Sequence, residues 1–559
     1  MPAIISWLLF LLLSLSTGWI LIQLGQLVQL MLKIRFFKKT ALSFFGGFIL
    51  VFLYLLIWHF FYAITPFTWV GLIIIAWIPT FLTARTKTMP IKYIISGFKV
   101  PKTQWVSIFG LILLLSLFYY QSLDVGFTYD ALTYYFTTIT WYKAYPVIPG
   151  HTNLFVYLGF NQTWFLFAAL WEQTFLKNAS FFLSAFLLGW FSWFQCLRLL
   201  HIINFRKKNH SSRVLFPLVS LYLALSSIHI SSPAPDVAVM VITLEIIWYL
   251  GLMLFKRKLD RGRLEWVLLL GVAFVSVKLS MIGLCIGLGI LWVKSVFQEG
   301  LTQIKASWVW AVLLTGFMGI WMFRGVLLSG YPLFPSPLLS VQVPWLVPER
   351  IPVTFTQYIL QFARIKMHGQ FLEEYAGLNW LPIWFQSYKY NISLFLFIGG
   401  ILAFYTYKIY SAKVPRLNSW LILPLFSAIV FWFVSAPDPR FIVGVLWGGA
   451  ALGLGLWFSY LVRDQRFYNW GIPAILLVIL VLRLNRHPEF PLGLPQAKCI
   501  EYQLPTGLKV FLPENVDADD WRTALCPLPS AVIPDTALAS GQYYGRLYFY
   551  LQTSPSGNP

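Results

Sequence analysis

The chain has 559 residues, of which 58% are hydrophobic and 11% charged, with a mean hydropathy of +0.71. Soluble globular proteins carry roughly 25% charged residues, so this composition excludes an ordinary water-soluble enzyme and marks a chain solvated largely by lipid. A net charge of +21 raises the question of nucleic acid, but the basic residues sit in short loops between apolar runs rather than on a solvent-facing stripe, which excludes that partner.

Taken in chain order, the apolar runs predict spans near 4–32, 41–63, 67–83, 104–120, 179–200, 214–230, 237–255, 264–277, 281–295, 307–323, 391–408, 418–435, 441–461 and 467–483. The fold class expected is therefore an all-α polytopic membrane protein, a bundle of about fourteen spans. The first run lacks a basic n-region and exceeds the length of a signal-peptide core, so it reads as an uncleaved span. Residues 1–103 form the N-terminal spans and 104–483 the core, with loops 121–178 and 324–390; 484–559 is a polar tail. Alternating LKVFLP and YYGRLYFYLQ runs predict strands in that tail, as a small α/β cap. The tail holds Cys499 and Cys526, which would form a disulfide if it faces an oxidising compartment. Cys196 and Cys285 fall in apolar runs and read as small core residues.

Sidedness follows from the basic residues. Segments 33–39, 84–102, 198–213, 256–263, 294–305, 408–416 and 462–466 hold 26 of the 41 Lys and Arg, which makes them cytoplasmic. Both termini and the three long polar segments are then external, on a bacterial cytoplasmic (inner) membrane. The same alternation requires a break at Lys278, because one continuous span there inverts every later loop. The aromatic-rich 121–178 segment predicts short helices in the headgroup layer, most of its rings forming an interfacial belt.

A carboxylate near a bilayer costs a few kcal/mol, so acids kept at one rim are functional candidates. Asp124 and Asp130 follow the fourth span, Asp236 in SSPAPDVAV opens the seventh, and Asp438 in SAPDPRFIVG opens the thirteenth. An Asp after Pro at a helix start also serves as a cap, which is the competing reading for Asp236 and Asp438, the latter with Arg440 as a further partner. Lys278, Arg324 and Arg440 gather at the same level and suit a phosphate; as single residues they also read as interfacial snorkelers. No Gly-rich phosphate loop, HExxH or nucleophile elbow is present, and His151, His229 and His368 lack metal-ligand spacing. No metal site is expected and no cofactor is required, with a divalent cation left open.

This arrangement resembles the GT-C glycosyltransferases, multi-spanning enzymes that take a sugar from a polyprenyl-phosphate carrier, and within them the bacterial relatives of protein O-mannosyltransferases and aminoarabinose lipid A transferases. The segments YDALTYYFTTITWYKAY, PAPDVAVMVITLEIIWYL, GVAFVSVKLSMIGL and RGVLLSGYPLFPSPL carry the likeness, which covers most of 104–460. The resemblance implies a GT-C-like bundle with Asp130 as general base, Asp124 as its rival, and Tyr134 and Tyr135 where the family shows aromatics or His. It assigns Lys278, Arg324 and Arg440, with Asp236, to the lipid phosphate and its sugar. The family's frequent Asp-Glu pair reads Asp130–Ala131 here, so nothing is implied for a second acid. Expected partners are the bilayer, a polyprenyl-phosphate sugar, and a glycan, lipid or protein acceptor. A lipid-linked oligosaccharide flippase or transporter, for which Glu245 is the embedded candidate, and a polysaccharide polymerase or ligase using Arg350, Arg364 and His368 are the alternatives.

Overall fold

The computed structural model describes residues 3–32, 40–85, 102–123, 128–204, 211–227, 230–256, 259–299, 301–366, 377–410, 419–461, 498–514, 523, 526–531, 534–543 and 545–552. Within them, thirteen of the fourteen expected spans are helices: Ala3–Met31, Thr40–Phe61, Pro66–Arg85, Lys102–Ser122, Leu183–Asn204, Ser211–Leu225, Pro235–Lys256, Arg261–Val275, Ile282–Glu299, Leu301–Ser329, Ile392–Tyr410, Leu423–Ser435 and Val443–Leu461. The fourteenth, 467–483, lies outside the described residues. By length and composition alone, seven helices among the described residues can cross a bilayer, or eight if the pair Leu381–Tyr388 and Ile392–Tyr407, bent by 99°, is one span. Others are short: the 15 residues of Arg261–Val275 reach about 22 Å, less than the roughly 30 Å of hydrocarbon. The protein is a helical membrane protein with a small C-terminal β region.

The N-terminal hairpin shares the core of the bundle. Phe48, Phe52 and Phe274 interlock, and Phe48 also meets Trp164 and Phe167 at 6.1 and 5.5 Å between ring centres. Residues 128–182 form short helices as expected, but they do not all lie at a surface. In Thr163–Glu172 every residue from Thr163 to Trp171 is buried, because a helix apolar on all sides is stable only inside protein or lipid. Trp69 Nε1 donates to the Leu170 carbonyl, and Thr163 and Ser276 hydroxyls meet at 2.7 Å, tying this helix into the bundle.

The break predicted at Lys278 is present: Arg261–Val275 ends, Lys278 is extended (φ −155°), and a 3-10 turn Leu279–Met281 leads into the next helix. The tail contains β1 (Cys499–Gln503) paired antiparallel with β2 (Lys509–Pro513), and β3 (Leu538–Tyr543) with β4 (Arg546–Leu551). Among the described residues its regular elements are these strands, which supply the β part of the expected cap. Cys499 and Cys526 form a disulfide. The cap docks on the 128–182 helices through Phe549, whose N–H donates to Pro149 and whose carbonyl accepts from Asn153 Nδ2. Gly150 makes this approach possible: its φ is +68°, and a Cβ there would lie 2.0 Å from the Phe549 carbonyl oxygen.

Candidate functional site

Five elements converge on a cavity of about 630 Å³. They are the Thr128–Gln162 segment, the start of helix Pro235–Lys256, the Ser276–Ser280 break, helix Arg350–Ile365 and the Phe431–Ile442 corner. Asp130, Tyr134, Tyr135, Asp236, Lys278 and Arg440 all line it, so the structure brings together six residues separated by more than 300 positions.

Asp130 stands directly before a π-helical turn, Ala131–Tyr135, whose last N–H bond runs from Phe136 to Ala131. A π turn inserts an extra residue into a helix and so re-aims the side chains on either side of it. Here it buries Tyr134 and Tyr135 while leaving the Asp130 carboxylate about two-fifths exposed at the cavity. The two tyrosine rings meet edge-on at 4.7 Å, and Tyr134 stacks on Tyr157 at 4.9 Å. Burial pushes both hydroxyls well above their usual pKa; the neighbouring Tyr135 raises Tyr134 further, and the Asp130 charge adds to both. They stay protonated donors at physiological pH.

Asp236 lies in the first turn of its helix, where the dipole favours a negative charge, and it forms an ion pair with Lys278. The extended backbone at the break is what turns Lys278 toward it, and the Lys278 ammonium also sits 4.3 Å above the Phe441 ring. Arg440 lies between acids: Nη1 is 3.9 Å from Asp130 and Nε 3.8 Å from Asp438. Asp438 is buried and caps its 3-10 turn by accepting from the Arg440 N–H, while its other oxygen takes Lys366 Nζ at 2.6 Å. Capping and ion pairing therefore both hold for Asp438.

Three carboxylates and three cations thus balance at one rim. The cavity is also lined by aromatic rings: Phe355, Tyr358 and Phe362 follow one face of helix Arg350–Ile365, joined by Phe334, Tyr157 and Phe160. Their i, i+3, i+7 spacing is a helix-face signal in the sequence. Lys366 and Tyr157 belong to no such pattern and were missed.

Arg324 is elsewhere. Its helix runs on to Ser329, which places the residue inside the bundle rather than after a span, fully buried. Nη1 donates to Asn161 Oδ1 at 2.6 Å, and the guanidinium lies 4.9 Å from the Tyr142 ring. It reaches the cavity only through Asn161, which lines it. His151 is also buried, edge-on to Trp141, with its pKa lowered to about 3 by burial and by Arg324, so it is neutral. Asp124, His229 and His368 lie outside the described residues, and among those described no three His, Cys, Asp or Glu groups gather to hold a metal. Glu245 is not an open polar site within the bundle: Arg198 grips both its oxygens at 2.7 and 2.6 Å, with Gln195 on one of them.

Residues 2–447 match the family described as a domain of unknown function, DUF8201. The chain belongs to that family. No curated protein and no solved structure matches it. The DUF8201 match contains every cavity residue named above and the N-terminal hairpin, and it ends within helix Val443–Leu461, before the β cap.

Proposed function

We propose that this DUF8201 protein is a glycosyltransferase that moves a sugar from a polyprenyl-phosphate carrier to an acceptor hydroxyl, with inversion, Asp130 acting as general base. The observation that carries the reading is the Asp130 carboxylate 3.9 Å from Arg440 in the lining of a 630 Å³ cavity that combines ionic and aromatic side chains. A lipid-linked phosphate sugar has that same two-part chemistry.

The electrostatics fit the reaction. Asp130, Asp236 and Asp438 offset Lys278, Lys366 and Arg440, so the cluster is neutral before reaction. As the acceptor oxygen attacks the anomeric carbon, its proton passes to Asp130, and the electrons of the breaking carbon–oxygen bond go to the phosphate. Protonation of Asp130 leaves the cluster at +1 and frees Arg440 from one of its acids as the leaving phosphate gains a negative charge. Positive charge then develops where it stabilises the transition state. Lys278 and Arg440 are the phosphate-binding cations of this mechanism; Arg324 holds Asn161 in the wall.

The reading places the cavity at the external face, with fourteen crossings and both termini outside. The basic cytoplasmic loops support this, as does the Cys499–Cys526 disulfide, which belongs in an oxidising compartment. The neutralised Glu245 removes the main feature that favoured transport. Asp130→Asn is expected to insert and melt like wild type yet to lose transfer from lipid-linked sugars by at least about 10²-fold. Wild-type transfer by this variant would end the assignment of Asp130 as the base.

A further inference from the structure

We infer that Thr523, presented by the disulfide-closed tail, is the positioning residue that holds the π turn behind Asp130 in register. The inference rests on reading 130–135 as the catalytic segment, although its first readout does not depend on transfer.

Among the described residues the tail contributes no charged group to the cavity, yet it reaches the catalytic segment at Thr523. Thr523 is buried, and its hydroxyl donates to the Thr133 carbonyl at 2.7 Å, in the middle of the π turn. A hydroxyl has one proton, so at the second contact, 2.8 Å from Thr137 Oγ1, Thr523 accepts and Thr137 donates. One side chain from the tail therefore ties the π turn to the first turn of helix Phe136–Ala144. A side chain inserted among the backbone groups of a helix is a recognised cause of local departure from the α ladder.

Thr523 is itself anchored. Its carbonyl accepts from the Cys526 N–H at 3.0 Å, and Cys526 is bonded to Cys499 at the start of β1. A continuous line of covalent and hydrogen bonds runs from the β cap through Thr523 to the π turn. Loss of the extra residue in that turn would rotate Asp130 relative to helix Phe136–Ala144 by about 100°, one residue of α-helix. Asp130, Tyr134 and Tyr135 could not all keep their places at the cavity. The cap thereby makes the site dependent on an oxidised tail.

The test uses the full chain in nanodiscs, comparing Thr523→Val, which keeps the shape and deletes the hydroxyl, with Thr523→Ser, which restores it. Amide hydrogen exchange over 131–138 is expected to rise at least tenfold in Thr523→Val and after reduction of the wild-type disulfide, to return to wild type in Thr523→Ser, and to stay unchanged over 163–172. Transfer from the lipid-linked sugar should fall in kcat with little change in KM, and Thr523→Ser should recover it. Unchanged exchange over 131–138 in Thr523→Val, or a rise spread equally over 163–172, overturns the inference. A local rise in exchange alongside a wild-type protein that transfers no sugar keeps the positioning role and removes the transferase reading instead.

Discussion

Lys278 and Asp236 are each less than a fifth exposed and face one another at the head of a membrane helix. Removing one partner of such a pair leaves an uncompensated charge, at a cost of about 3 kcal/mol, whereas replacing both by apolar residues is close to neutral. We predict that Lys278→Met lowers stability by about that amount and that Lys278→Met with Asp236→Leu regains most of it, measured by thermal unfolding in detergent. Neither should transfer sugar if Lys278 receives the phosphate. A double variant that regains both stability and transfer would assign Lys278 a structural role alone. At this scale Asp130, Asp236, Lys278 and Arg440 were legible because a charge near lipid stands out against its apolar neighbours. Arg324 misled for the same reason: its position after an apolar run says nothing about how far the helix continues or which way the side chain turns. Lys366 was invisible because its role depends on Asp438, 72 positions away.

Between helices, close approach is set by glycines. A Cβ on Gly453 would lie 2.0 Å from the Gly400 carbonyl oxygen, so helices Val443–Leu461 and Ile392–Tyr410 touch backbone to backbone. Lipid supplies no hydrophobic force to hold helices together, and such small-residue contacts are what remains. Gly453→Ala is expected to force the pair apart, destabilise by about 1–3 kcal/mol and reduce folded yield, whereas Gly399→Ala, with nothing within 4 Å of its Cβ, should be silent. Equal thermal midpoints for the two variants would remove the argument. Helix Val443–Leu461 starts at the Arg440 turn, so its seating also fixes one wall of the cavity. The apolar runs made thirteen helices and the Lys278 break readable. They did not reveal the π turn, which depends on Thr523 from the far end of the chain. Nor did they distinguish a buried helix from an interfacial one in 163–172, since both are rich in aromatic residues.

At the scale of the molecule, the cap bears on the proposed number of crossings. Val443–Leu461 begins beside the cavity and, at 19 residues, extends about 28 Å, so Leu461 lies most of a bilayer away from Arg440. Thr523 nevertheless bonds to Thr133 at the cavity end. The sequence joining Leu461 to Lys498 contains the apolar run 467–483, the fourteenth span of the proposed topology, which would carry the chain back to the cavity end. The proposed placement of the cap and the cavity outside is supported by the basic loops and by the disulfide, two observations that share no residue. We predict that an impermeant maleimide labels Tyr390→Cys and Lys509→Cys in intact cells, and labels Lys38→Cys only after the membrane is opened. Cys196 and Cys285 lie within helices, and Cys499 and Cys526 are bonded, so the introduced thiols dominate the signal. If Lys509→Cys labels only in opened cells while Tyr390→Cys labels in intact ones, the return crossing is absent. The cap could then neither form its disulfide in an oxidising space nor hold the turn that aims Asp130.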